Sequence, residues 1–315
     1  MCSSDLTASI QIASASSAPP RRGVILLGAV LLGVLVAGFW NPRLVDGFGR
    51  DVVAARTIGD PQALAATFVQ NGAAFGFIFA IVAGMAATFT ACNCVVFALL
   101  PGLTVNDRSG TWRAALRTLA WFTVGVMVMA IAYGVFVGVV GAEGVQALNA
   151  RDTRLAQASG VFTVIGAVMF IWGLIELGYL TTLTRAVPDG LRAWALRPRS
   201  RALLLGLLVG AFMIGRPYPV MRDFLVYAAS ANSPLYGAAV MVVQGLGQIA
   251  LMVLFFVLIT SLAGARLSRW AAGNPARVAL MSGATLVLSG TFFIYYWGLA
   301  ITYGVGRWGF RLGWY

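Results

Sequence analysis

The sequence predicts an all-α polytopic membrane protein, and three observations carry that reading. Of 315 residues, 60% are hydrophobic and only 10% charged, too few polar groups to coat a soluble globule. The apolar residues gather in seven runs, near 24–40, 73–100, 119–140, 160–180, 202–229, 236–262 and 277–300, each approaching the roughly 20 residues that a bilayer crossing requires. Hydrophobicity within the runs is continuous rather than alternating, which selects helices over the strands of a barrel.

The charge pattern fits the same class. The net charge of +12 comes from 22 arginines and no lysine, against ten carboxylates. Arginine in the loops of a membrane protein is a topological signal, so no nucleic-acid partner is expected; the partner of the long apolar faces is membrane lipid. The chain has no histidine. That excludes Ser-His and Cys-His catalysis, His-ligated haem and His-containing zinc sites, and nothing in the sequence requires a cofactor.

In chain order, residues 1–22 are Ser- and Ala-rich with Pro19-Pro20 and read as a disordered cytoplasmic tail. Cys2-Ser3-Ser4-Asp5-Leu6 back-translates to a sequencing-adapter string, and Cys2 is assigned no role. Residues 23–41 follow Arg21-Arg22 and read as a retained anchor helix, because Val36-Ala37-Gly38-Phe39 is a poor cleavage site and Trp40 suits an interface. Residues 42–72 form an extracytoplasmic linker. A three-helix group over 73–180 and a second over 202–300 flank an Arg-rich cytoplasmic loop at 181–201, and residues 301–315 make an extracytoplasmic tail.

With the amino terminus inside, the cytoplasmic loops hold thirteen arginines and the outer loops nine. The loop 181–201 alone carries Arg185, Arg192, Arg197, Arg199 and Arg201 and fixes the orientation. The run holding Cys92 and Cys94 then points inward and the run from Ala202 points outward. Each is interrupted: the first at Ala91-Cys92-Asn93-Cys94 and Pro101-Gly102, the second at Gly215-Arg216-Pro217-Tyr218-Pro219. Paired interruptions in two inverted halves are the sequence sign of a site between repeats, and prolines at 217 and 219 remove backbone donors that a continuous helix needs. The glycines at 125, 134, 138, 166, 173, 237, 245 and 247 read as helix-packing features.

Cys92 and Cys94 are the candidate reactive groups. Residues two apart on a helix do not face each other, so the pair bonds only where the backbone unwinds, which Asn93 and Pro101-Gly102 favour. So small a ring is strained and readily reduced. The same two sulfurs are also a soft-metal ligand pair, and two small polarizable residues can simply pack. Arg216 either favours a thiolate from the facing half or sits at the membrane surface. Glu176 is either a proton relay or a snorkelling, helix-packing carboxylate. Gln244 and Gln248, one turn apart, bridge helices or line the cavity; the aromatic tail from Tyr295 to Tyr315 reads as an interfacial belt.

These motifs resemble the transmembrane thiol-disulfide transporters of the cytochrome c biogenesis type, the CcdA and DsbD membrane domain. Cys94-Val95-Val96-Phe97-Ala98-Leu99-Leu100-Pro101-Gly102 is similar to the family's Pro-Cys-to-Pro-Gly motif, with one residue more. The segment from Gly215 to Pro219, followed by Tyr227-Ala228-Ala229, is similar to its second-repeat motif. The resemblance implies a bacterial inner-membrane protein of two inverted three-helix repeats. It also implies a cytoplasmic thioredoxin-like donor and, outside, a thioredoxin-like or apo-protein acceptor. The acceptor would be an apocytochrome c, a thioredoxin-like carrier or a methylamine-utilisation-type dehydrogenase. One departure stands out: Tyr218 or Pro219 occupies the second-repeat cysteine position, so the family's cross-repeat disulfide cannot form here. The alternative on the same scaffold is an exporter of a soft metal or small solute, or a non-redox assembly factor.

Overall fold

The computed structural model describes residues 22–89, 112–180, 188–195, 197–215 and 218–314. The described chain is helical: α1 (Arg22–Gly38), α2 (Pro42–Gly47), a π-helical turn (Phe48–Ala54), α3 (Ala55–Thr57), α4 (Pro61–Ala65), α5 (Phe68–Ala87), α6 (Trp112–Asn149) and α7 (Arg151–Glu176). There follow α8 (Asp189–Ala195), α9 (Pro198–Ala211), α10 (Pro219–Ala229), α11 (Pro234–Gly273), α12 (Pro275–Phe293), a second π-helical stretch (Ile294–Ile301) and α13 (Trp308–Arg311). Among the described residues, five segments are long and apolar enough to cross a membrane: Phe68–Ala87, Leu116–Asn149, Arg151–Glu176, Pro234–Leu262 and Ala276–Ile301. The apolar run 202–229 is divided between α9 and α10, as the prolines there require. The protein is therefore a polytopic α-helical membrane protein.

Local sequence explains the starts. Proline stands in the first turn of α2, α4, α9, α10 and α12, where its missing N–H has no helical partner to lose. Asn41 caps α2 by accepting from Leu44 N at 3.1 Å, and Asp60 caps α4 by accepting from Gln62 N at 3.0 Å. Gly72 breaks the first turn of α5 with a φ of 73°. Tyr227 Oη donates to its oxygen at 2.7 Å, and Tyr236 Oη donates to Ala73 O at 2.9 Å, which supplies the donors that the interrupted turn lacks.

Glycines set how the long helices pair. Gly134 faces the backbone of Gly237, and Gly138 that of Ser233 and Pro234, so α6 and α11 run antiparallel with no room for a Cβ between them. Gly166 against Gly290 and Gly173 against Gly283 pair α7 and α12, again antiparallel. By contrast, Gly76 meets Tyr236 and Gly84 meets Gly247, so α5 runs parallel to α11. Gly206 meets Phe122 and Gly210 meets Met129, so α9 runs parallel to α6. It follows that α5 and α9 point in opposite directions. Exchanging the group α5, α6, α7 with the group α9–α10, α11, α12 turns the α5–α11 pairing into the α9–α6 pairing and leaves α6–α11 and α7–α12 as they are.

The anchor is part of this bundle. α1 lies on α12, its Gly33 close to Leu288 O and Thr291, with Ala29 and Ala37 buried. At one end Arg22 Nη1 donates to Gly178 O at 3.3 Å and its guanidinium lies 4.9 Å over the Tyr179 ring. At the other, Trp40 packs edge-on against Phe292 at 5.1 Å. The stretch after α1 is not a bare linker: Phe48 packs on Phe89, Gly49 on Ala86, and α4 on α10. Its exposed Arg50 donates from Nε to Asp51 Oδ1 at 2.7 Å, and the guanidinium holds that carboxyl below its ordinary pKa.

The aromatic tail departs from a uniform interfacial belt. Tyr296 is buried against Phe292, Trp297 stacks on Phe162 at 4.9 Å, and Trp308 lies against Phe39 and Tyr295. Tyr303 and Trp314 stay exposed. Within the second π-helical stretch Trp297 turns to α7 and Tyr296 to Phe292 of α12, and for these two rings burial in the core outweighs interfacial anchoring.

Candidate functional site

The interruption between α9 and α10 is the centre of the described site. α9 ends at Ala211, and Phe212, Met213 and Ile214 each donate to the residue three back, at 3.2, 3.0 and 3.1 Å, the tightened last turn of a helix about to stop. Tyr218 then takes an extended conformation, φ −68° and ψ 131°, and α10 starts at Pro219. Gly215 and Tyr218 are buried, Tyr218 to 2% exposure. Gly215 faces Val161 and Phe162 of α7, where a Cβ would stand 3.0 to 3.1 Å from their side chains.

Interrupting a helix inside an apolar bundle frees backbone oxygens, and α7 supplies the partner of one of them. Gln157 Nε2 donates to Ile214 O at 2.7 Å. A cavity of about 20 Å³ lies beside this bond, lined among others by Tyr133, Asn149, Arg154, Gln157, Ile214 and Gly215, room for about one water. Asn149 ties the two sides together: Arg154 Nη1 donates to its main-chain oxygen at 3.3 Å, and its own Nδ2 donates to Arg222 O at 3.5 Å.

Of the sequence-predicted site residues, Gly215, Tyr218 and Pro219 come together at this break. Glu176 does not join them. It forms an ion pair with Arg201 of α9, fourteen residues along α7 from Phe162, or about 21 Å at the helical rise. Its side chain is 9% exposed, so it ties α7 to α9 at the Arg22 end of the bundle. Cys92, Asn93, Cys94, Pro101, Gly102, Arg216 and Pro217 lie outside the described residues. The chain leading to them is fixed: the buried Thr88 donates from Oγ1 to Gln248 O at 3.0 Å, just after α5 ends at Ala87. Gln244 and Gln248 are both buried, with Gln244 Nε2 donating to Gln248 Oε1 at 3.5 Å. Among the described residues, no cluster of three or more His, Cys, Asp or Glu is placed to hold a metal.

Sequence reasoning missed Asn149, Arg154, Gln157 and Arg222. Arg154 and Gln157 are three residues apart, and so share a helix face. That spacing, in the first two turns of an apolar span, was the available signal.

A bundle of apolar helices around an interrupted one defines a polytopic membrane protein with a site inside the bundle rather than on its surface. The cytochrome c biogenesis protein transmembrane region family matches residues 75–292, which takes in the cysteine pair and the whole α9–α10 break. The chain belongs to this family. No curated protein and no solved structure matches it.

Proposed function

We propose that the protein passes reducing equivalents across the bacterial inner membrane by thiol-disulfide exchange, for maturation of an extracytoplasmic protein. The observation that carries this reading is the family match over 75–292, which encloses both cysteines and the α9–α10 break. The opposed directions of α5 and α9 support two inverted three-helix repeats with the site between them. With Tyr218 or Pro219 where the second repeat of the family has its thiol, the exchanging pair is Cys92 with Cys94.

The exchange balances without a cofactor. One thiolate of the reduced pair attacks the acceptor disulfide, forming a mixed disulfide and releasing one acceptor thiolate. The second thiolate then attacks the sulfur contributed by this chain, so the acceptor leaves as a dithiol and Cys92–Cys94 remain oxidised. A cytoplasmic thioredoxin-like dithiol returns the two electrons. The end bearing Arg22, Gly178 and Arg201 faces the cytoplasm, in keeping with the arginine-rich 181–201 loop.

A Cys94→Ser variant tests the reading, because it removes the resolving thiol. Mixed disulfides between Cys92 and a thioredoxin-like or apo-protein partner are the expected product on non-reducing gels. Absence of any trapped partner, with metal-dependent uptake into vesicles that needs both cysteines, would replace the relay with soft-metal transport.

A further inference from the structure

Two arginines stand side by side where α1 and α12 begin, away from the break. α1 runs along α12 in the same direction: Gly33 lies close to Leu288 O, and Trp40 further on meets Phe292. Arg22 stands eleven residues before Gly33, and Arg277 eleven before Leu288. Eleven residues make about three turns at 3.6 residues each, so each arginine shares a face with the residue at the helix contact, and the two lie at one level. Arg22 is held in place there. Its Nη1 donates to Gly178 O at 3.3 Å, and its guanidinium lies 4.9 Å from the centre of the Tyr179 ring. The Tyr179 hydroxyl reaches back to α1, 3.5 Å from where a Cβ on Gly23 would stand. Arg277 is exposed.

Nothing acidic answers this charge. Neither α1 nor α12 contains a carboxylate, and none follows Asp223 anywhere in the chain. The ion pairs among the described residues are Arg50–Asp51 and Arg201–Glu176. Glu176, three residues before Tyr179, is thus committed elsewhere, and neither Arg22 nor Arg277 has a carboxylate partner among the described residues. Packed helix axes lie about 8–10 Å apart, a gap across which two arginines reach one phosphate and grip it with their planar hydrogen-bonding forks. Beyond the charges the same two helices turn apolar side chains outward, the exposed Leu27 and Leu31 on α1 and Met281 on α12. A free phosphate makes no use of that surface, whereas acyl chains cover it. Two uncompensated positive charges also favour a net anionic headgroup over a zwitterionic one, whose own ammonium already answers its phosphate. We propose that Arg22, Arg277 and Tyr179 bind the headgroup phosphate of an anionic glycerophospholipid, whose chains run down the outer face of α1 and α12. The lipid thereby fastens the first helix to the bundle.

The test uses the full chain purified in detergent and supplemented with phosphatidylglycerol or with phosphatidylcholine of the same acyl chains, with thermal unfolding followed in each. Phosphatidylglycerol is expected to raise the Tm by roughly 2–4 °C over phosphatidylcholine, saturably. Arg22→Gln and Arg277→Gln are each expected to lose that difference, and Arg311→Gln, exposed in the tail, is expected to keep it. The difference is taken within each variant, so a lower starting Tm does not blur it. Arg277→Gln leaves the contacts of Arg22 with Gly178 and Tyr179 in place and reads the site even where Arg22→Gln fails to fold. Equal Tm in the two lipids, a difference that survives in either arginine variant of the site, or one that Arg311→Gln also loses, overturns the proposal. Glycerol 1-phosphate alone, giving as large a gain as phosphatidylglycerol, overturns it as well by assigning the arginines to a free phosphate. The thiols take no part in this measurement, so the relay and the lipid site can fail separately.

Discussion

Gln157 of α7 donates from Nε2 to the main-chain oxygen of Ile214 at 2.7 Å, across the point where α9 stops and the chain turns toward α10. One side chain thereby satisfies an oxygen that the interruption frees, and it couples a helix of one group to the broken helix of the other. The site geometry depends on such ties, because an unmatched backbone oxygen in an apolar bundle has no water to turn to.

Gln157→Leu keeps the volume and removes the donor. It is expected to cost about 1–3 kcal/mol, read as a lower Tm in detergent. Ala156→Leu, on the exposed face of the same turn, is the control and is expected to leave the Tm unchanged. Equal Tm for native protein and Gln157→Leu would remove the bond from the account of the break.

Gly134 and Gly237 meet backbone to backbone, so neither neighbour can rotate away from an added side chain. Gly134→Val is expected to lose most of the monodisperse protein on size-exclusion chromatography, at a cost of about 3 kcal/mol or more. Gly28→Val, on a face with nothing within 4 Å, is expected to leave the yield unchanged.

Glu176 and Arg201 form a pair with side chains 9% and 25% exposed. Glu176→Gln is expected to destabilise by about 1–3 kcal/mol, less than a fully buried pair would lose because Arg201 keeps contact with solvent. A double-mutant cycle with Arg201→Gln checks it, and a coupling energy near zero would make Glu176 a bystander.

The burial of Ala29 and Ala37 and the tie from Arg22 to Gly178 make α1 an integral helix of the bundle. Intact mass of carboxy-terminally tagged protein from membranes is expected to include residues 22–38. A product beginning after Trp40 would contradict this.

Much of the fold was legible in the sequence because hydrophobic run length and arginine placement report directly on membrane spans. The prolines at 217 and 219 likewise announced that 202–229 could not be one helix. The site was less legible. Gln157 carries no motif, and its role depends on where Ile214 O ends up, a matter of tertiary packing. Arg154 and Arg222 read as topological charges, and the hydrogen bond from Asn149 Nδ2 to the Arg222 main-chain oxygen joins residues 73 apart, a meeting that distance along the chain hides. Glu176 offered two readings, a proton relay or a snorkelling, helix-packing carboxylate, and its ion-pair partner Arg201 on the neighbouring helix carries no sequence signal that links the two.

The most direct test of the central claim is alkylation of membranes with a mass-tagged maleimide, before and after reduction, scoring Cys92 and Cys94 separately. The relay account predicts that both cysteines resist labelling until a dithiol reductant is added and then react as a pair. Two thiols that label equally with and without reduction, in membranes taken directly from growing cells, would contradict it.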